Sequence, residues 1–398
     1  MERTLVSFFN EFYDDHFEVK WTANNYSMSN KHYHNSGQVW LCNPLINSIY
    51  LEKANKNIFN SIKGEYSHNP LKPWQTIFQK FYLYLAIKTR LGSFLAPYTV
   101  IISPKVFNAH NMLIIGGNNK IRVINEAEKT VFVILKNGFN KKYLTREIEI
   151  RQRYKYLPAP AIISIGNTNW YCEEYLEGVS PERLDNTLCN TILFEATQKL
   201  YKLLNDTMLK TNLRNYTDGL VARITKRLKT IRNTSAAQTK EIHQCVGIIN
   251  NDIMIKSDSD KTDIYTAITH GDFHFGNILY DGEKVWIVDW EYSRRRQIAY
   301  DLFVLLLNPS IQKGFTSRFI KFADTDFNKI CREFLLDWPS LNWENSKNRE
   351  TMLKVFLLEW IDVLLEENDN PLFLKQTLGL NPFMAQIKEL VNHPQFMD

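Results

Sequence analysis

The chain lacks most of the features that would place it in a membrane, an oxidising compartment or a disordered state. Its five cysteines (Cys42, Cys172, Cys189, Cys245 and Cys331) are scattered, odd in number and without a Cys-x-x-Cys pair. That pattern argues for reduced thiols and against a disulfide framework. No uncharged run approaches the roughly 18 residues of a membrane span. No segment is low in complexity, and the first residues, with Glu2, Arg3, Glu11, Asp14 and Asp15 among aromatics, do not make a secretory signal. The expectation is a cytoplasmic enzyme. Acidic residues are missing between Glu65 and Glu126, a stretch that carries Lys72, Lys80, Lys88, Arg90, Lys105, Lys120 and Arg122.

What is present suits a folded protein of two or three domains: 398 residues with 44% hydrophobic content. A net charge of +5 is too modest to imply nucleic-acid binding. Arg223, Lys226, Lys229 and Arg232 share a helical pattern with Ile224, Leu228 and Ile231, which reads as a solvated amphipathic helix. His32 and His34 have no nearby ligand to complete a metal site and read as surface residues.

The informative run is His270-Gly-Asp-Phe-His-Phe-Gly-Asn277, followed after a short apolar strand by Asp289-Trp-Glu291. Residues 267–269, 277–280 and 285–288 read as strands, with a hairpin turn at Asp281-Gly282. Asp272 supplies a carboxylate that can accept a proton from an attacking hydroxyl. Asn277 and Asp289 supply an amide oxygen and a second carboxylate suited to magnesium held against a triphosphate. Ordinary turn chemistry explains Asp, Gly and Asn in a loop, but not this ordered set.

At these residues the chain resembles the aminoglycoside phosphotransferase and choline kinase superfamily, small-molecule relatives of protein kinases. The pattern His-Gly-Asp, four residues, Asn, then Asp-x-Glu is matched by His270, Gly271, Asp272, Asn277, Asp289 and Glu291; Phe275 departs from it where many relatives carry Pro. The resemblance implies an α+β, bilobal protein-kinase-like fold with an antiparallel-sheet small lobe and a mainly helical large lobe. It implies Asp272 as catalytic base, Asn277 and Asp289 as metal ligands, and support of the catalytic loop by His270 and by Asp301 of Ala-Tyr-Asp-Leu-Phe. The implied cofactor is Mg²⁺ with ATP as phosphate donor, GTP being left open.

Upstream, residues 112–115, 120–125 and 130–136 read as strands, with Gly116-Gly117-Asn118-Asn119 as a turn through which backbone amides can approach phosphate. Lys136 ends Val-Phe-Val-Ile-Leu-Lys and is placed to contact the α and β phosphates. Residues 144–156 read as a helix, and by the resemblance Glu147 is the partner of Lys136. Strands are expected over 161–165 and 170–175. The segment 172–178 resembles the family's hinge, where Glu174 and Leu176 hold adenine through their backbones. Further helices are expected over 185–204, 220–232, 318–336, 350–367 and 374–391.

The expected division is 1–105, an extension of unassigned role; 106–178, small lobe and hinge; and 179–398, large lobe with a helical acceptor-binding region. In the extension, Trp74, Ile77, Phe78, Phe81 and Leu85 follow Pro73 at helical spacing. They are expected to pack on the small lobe, with peripheral membrane contact as the disfavoured alternative. For the acceptor, Arg294-Arg295-Arg296 would repel a polycation, whereas Glu359, Asp362, Glu366, Glu367 and Asp369 favour a cation. The balance favours a sugar, glycan or amino-alcohol hydroxyl. An aminoglycoside kinase is the alternative, and a pseudokinase scaffold the alternative of another class. No nucleic-acid partner is expected.

Overall fold

The structure, a computed structural model, describes residues 1–23, 37–52, 54–59, 73–89, 91–231, 234–256, 262–309, 313–323, 346–370 and 380–397. His32, His34, Cys331 and parts of the helices expected over 318–336 and 374–391 lie outside the described residues. The fold is α+β, in two compact units: Met1–Leu144 with Ala159–Val179 and Asp281–Glu283, and Thr145–Pro158 with Ser180–Tyr280 and Lys284–Asp398.

The first unit is built on one antiparallel sheet of nine strands, in the order β1-β4-β2-β3-β5-β6-β7-β9-β8. These are β1 (Glu18–Ala23), β2 (Gln38–Asn43), β3 (Ser48–Leu51), β4 (Tyr98–Ser103), β5 (Met112–Gly116), β6 (Lys120–Asn125), β7 (Thr130–Leu135), β8 (Ile162–Ile165) and β9 (Trp170–Glu174). The last five stand within a residue or so of the strands expected from apolar runs rich in β-branched residues. Residues 1–105 thus contribute four strands to the sheet that carries Lys136. The helix α1 (Glu2–Tyr13) buries Thr4, Leu5, Phe8 and Phe9, a spacing of one helical face. Phe8 packs on Phe132 and Trp170, with ring centroids 5.3 and 5.7 Å away. Glu11 accepts the backbone N–H of Asn167 at 2.6 Å and the hydroxyl of Thr168.

The next helix, α2 (Pro73–Lys88), corrects one expectation. Among its described side chains Leu83 and Ala86 are buried, whereas Trp74, Ile77, Phe78 and Phe81 are 55–69% exposed. The helix is apolar on both faces, so periodicity alone could not say which face turns inward. Tyr82 decides it. The amide of Asn43, itself buried, donates to the Tyr82 hydroxyl at 2.9 Å and accepts from it at 3.1 Å. A short helix, α3 (Gly92–Leu95), folds back on α2 so tightly that a Cβ on Gly92 would lie 2.1 Å from the Ala86 carbonyl oxygen.

The helix α4 (Lys142–Arg153) begins in the first unit and ends in the second. The second unit is mainly helical: α5 (Asn186–Asp206), α6 (Leu213–Thr230), α7 (Ala236–Lys256), α8 (Tyr300–Leu307), α9 (Phe315–Lys321), α10 (Ser346–Asn368) and α11 (Leu380–Val391). Asp185 caps α5 by accepting the N–H groups of Thr187 and Leu188, and Asn212 caps α6 through Asn215. Between the helices run β10 (Leu209–Asn212), β11 (Asp263–Thr269), β12 (Ile278–Tyr280), β13 (Val285–Ile287) and β14 (Arg294–Gln297). The order β10-β11-β14 forms one small sheet, and β12 and β13 form a hairpin. Helix α10 is buried almost all round, against α6 and α7 among others.

Candidate active site

The loop after β11 is held by a buried carboxylate. Asp301, in the first turn of α8, accepts the backbone N–H of His270 on one oxygen at 2.6 Å and that of Gly271 on the other at 2.8 Å. Burial pushes its carboxyl above the usual range, against the pull of His270 and of these two N–H groups. Gly271 is required twice over: its φ is 95°, and a Cβ there would lie 2.3 Å from the Tyr292 carbonyl oxygen. His270 is fully buried, with Nε2 facing the Val288 carbonyl at 2.9 Å and Nδ1 accepting the Asp272 N–H at 3.2 Å. The tautomer that satisfies both is Nε2–H. Burial lowers its pKa, so the ring is neutral and acts as a spacer within the loop.

This frame gathers three side chains. The amide nitrogen of Asn277 donates to the Asp272 carbonyl at 2.8 Å and to its carboxylate at 3.0 Å. That geometry commits Nδ2 and leaves Oδ1 as a hard oxygen donor. His274 brings Nε2 to 3.4 Å from the Asp272 carboxylate, while its Nδ1 accepts the Gly276 N–H at 3.0 Å. For Asp272, burial acts to raise the pKa, but the hydrogen bond and charge of His274 outweigh it and hold the carboxyl below its ordinary value. Burial likewise acts to lower the His274 pKa, and Asp272, Asp289 and Glu182 together raise it. Asp289 follows β13 in a left-handed conformation, φ 64° and ψ 58°. The Val288 N–H beside it donates to the Asn277 carbonyl at 3.0 Å. The spacing of His274, two residues beyond Asp272 in a tight loop, is the signal in the sequence that could have marked this direct contact.

In the first unit, the Lys136 ammonium donates to the backbone carbonyls of Gly117 and Asn118, the latter at 3.1 Å, and burial lowers its pKa. The Gly117 N–H closes the hairpin on the Lys120 carbonyl at 2.9 Å, and the Gly116 carbonyl accepts from the Asn47 side chain. Glu174 ends β9, with its N–H on the Ala161 carbonyl at 3.0 Å, and Leu176 lies two residues beyond, partly buried. In the second unit, Glu147 is buried and accepts from Arg151 at 3.4 Å.

The opposing charge clusters seen in the sequence neutralise one another. Arg294 pairs with Asp362 at 3.0 Å and Glu366 at 2.9 Å. Arg227 reaches the same two carboxylates at 2.7 and 2.8 Å, and Arg146 reaches Glu366 at 2.9 Å. Arg295 donates to the carbonyls of Thr207 and Thr266. Arg296 is 2% exposed, donates to the Thr269 hydroxyl and lies over the Tyr300 ring. The expectation of a repelling arginine patch is therefore corrected: on β14 these side chains are consumed by internal partners. Glu359 is taken up by the Tyr216 hydroxyl and the Gln297 N–H, and burial pushes its carboxyl to about 7. Glu367 differs. It is only partly buried, and burial, offset in part by a hydrogen bond from Tyr292 and reinforced by the charges of Asp272, Glu291 and Glu366, pushes its carboxyl to about 8.

A braced His-Gly-Asp loop with an amide and a strand-end carboxylate suits a phosphotransferase acting on a hydroxyl group. Residues 120–326 match the model of the phosphotransferase enzyme family, and the chain belongs to that family. Among solved structures it is similar to a choline/ethanolamine kinase family protein from Mesorhizobium loti, at 19% identity and TM-score 0.47 over 72% of this chain and 89% of that one. It is similar to a Plasmodium vivax ethanolamine kinase at 15% identity and TM-score 0.46, over 87% of this chain and 95% of that one. An ADP-bound aminoglycoside phosphotransferase is similar at 12% identity and TM-score 0.41, over 71% of this chain and 92% of that one. No curated protein matches the chain.

Proposed function

We propose that this phosphotransferase moves the γ-phosphate of ATP to the hydroxyl of a small acceptor that also carries an amine, an amino alcohol or amino sugar. The observation that carries this reading is Glu367, a partly buried acid within the electrostatic reach of Asp272 and hydrogen-bonded to Tyr292, while Asp362 and Glu366 are occupied by arginines. One acid without an arginine partner of this kind suits one ammonium better than the many of an aminoglycoside.

In this reading Asp272, held ionised by His274, accepts the proton of the attacking hydroxyl. Lys136 contacts the nucleotide phosphates, and the backbones at Glu174 and Leu176 hold the base. Magnesium, when bound, neutralises phosphate charge, and Asn277 through Oδ1 and Asp289 through its carboxylate are the residues that would hold it. Among the described residues no three His, Cys, Asp or Glu side chains gather as a metal site. Two protein oxygens suit magnesium, which keeps waters and phosphate oxygens for the rest of its shell. Lys136, Asp272, Asn277 and Asp289 are all retained, which favours turnover over a scaffold role.

The test is acceptor-dependent ADP release and mass gain with ATP and magnesium, across amino alcohols, amino sugars, their neutral counterparts and aminoglycosides. Neutral sugars turned over as well as their amino counterparts would sink the amine assignment. The metal assignment predicts that Asp289→Ala weakens magnesium-dependent ATP binding more than Asn277→Ala, because a carboxylate brings charge as well as an oxygen. Calorimetric titration orders the two variants, and undiminished affinity in both contradicts the assignment.

Glu367 adds a pH signature. Its carboxyl, raised to about 8, is protonated at neutral pH and gains its charge as pH rises through that value. KM for an amine acceptor should therefore fall by up to about tenfold per pH unit below about 8 and level off above it. Glu367→Gln should flatten this profile and leave kcat for a neutral alcohol unchanged. A profile unaltered by Glu367→Gln removes the residue from acceptor recognition.

A further inference from the structure

We propose that the face of α2 that carries Trp74, Ile77, Phe78 and Phe81 docks the protein on an anionic membrane surface. At 100° per residue, positions 74, 77, 78, 81 and 84 span about 120° of the helix, the width of an apolar stripe. All five are apolar or aromatic, and each is more than half exposed. Leu91 and Phe94, at 49% and 61% exposed, extend the apolar surface into α3. The inward face is already committed: Leu83 and Ala86 are buried, and Tyr82 is locked to Asn43 by the two-way hydrogen bond. The stripe therefore cannot rotate inward without breaking both.

Two observations select a lipid surface as the occupant. The exposed residues are mostly aromatic, the composition that settles at the boundary of headgroups and acyl chains. Charge in the flanking sequence has one sign: from residue 66 to residue 125 the chain has no Asp or Glu, and it carries Lys72, Lys80, Lys88 and Arg90. Lys80 is exposed, on the flank of the stripe. A protein partner of matching apolar shape would not by itself require a run of sequence free of acids. Basic side chains near anionic lipid each add favourable energy that salt screens.

The experiment is co-sedimentation of the full chain with phosphatidylcholine vesicles and with vesicles containing about 30% phosphatidylglycerol, at salt from about 0.05 to 0.5 M. The expected result is at least tenfold tighter binding to the anionic vesicles at low salt, declining as salt rises. The double variant Phe78→Asp and Phe81→Asp should lose the binding and melt like the parent, since both side chains are exposed. Phe78→Leu should keep it. Equal sedimentation with neutral vesicles, or anionic binding that survives the double variant, overturns the proposal. So does a concentration-dependent dimer that the same variant dissolves, which would assign the face to a second copy.

Discussion

Asp272→Asn is expected to lower turnover by about 100-fold or more, since positioned general bases contribute roughly 10² to 10⁴. Shape is conserved in this variant. The amide oxygen that replaces the carboxylate can still accept from the Asn277 side chain, whose two bonds hold the loop at 2.8 and 3.0 Å in the parent. The bond to His274 is weakened, because the charge that raises the imidazole pKa is gone. Nucleotide affinity should be little changed, since Asn277 and Asp289 are untouched. Single-turnover kinetics with a saturating acceptor, beside ATP titration of the same variant, separates the two quantities. Full turnover refutes the base assignment, and loss of ATP binding together with turnover would mean the loop had collapsed.

The second large effect concerns stability. Asp362 is fully buried and pairs with Arg227 at 2.7 Å, Arg294 at 3.0 Å and Arg223 at 3.5 Å. Asp362→Ala leaves Glu366 to neutralise the partly buried guanidinium groups of Arg227 and Arg294. Breaking a buried pair from one side costs about 3–5 kcal/mol. That is a large part of the roughly 5–15 kcal/mol by which folded proteins exceed their unfolded state. Urea unfolding of the second unit should show the loss, and Asp362→Asn should recover part of it through retained hydrogen bonds. The exposed pair of Lys388 and Glu241 is the control: its removal should leave the melt unmoved, because solvent screens it. An Asp362→Ala variant as stable as that control would show that the cluster is electrostatically idle.

The motif loop was legible because its chemistry and its geometry are local. His270 to Asn277 is one turn, and Asp301 reaches it through two backbone N–H groups that any folded version of the loop must satisfy. The strands around Lys136 were legible for the same reason, as short apolar runs broken by turn residues. The charge clusters were not. Arg294, Arg295 and Arg296 look like a patch in a linear reading, and only the pairing of β14 with β11 and the nearness of α10 show that each has an internal destination. Distance in sequence hid this: Asp362 is 68 residues from Arg294. The orientation of α2 was hidden too, since an apolar helix surface does not announce which side a single tyrosine will anchor. Helix α7 went unread, and α1 was read only for its charges, although Leu5, Phe8 and Phe9 already marked a buried face.

The sheet order has a consequence for anyone who trims this protein. The family match begins at residue 120, the first residue of β6, and five of the nine strands precede it. A fragment started there would present β6 as a bare edge, its backbone donors and acceptors unpaired where β5 now lies. Ile121 and Val123 would lose the core partners Trp40, Val100 and Ile114. Long exposed edges with apolar faces recruit other chains, so such a fragment would be prone to aggregate before any assay could read its chemistry. The amino-terminal hundred residues are thus the other half of a hydrogen-bonded ladder, and loss of catalysis on deleting them would say nothing about where catalysis resides.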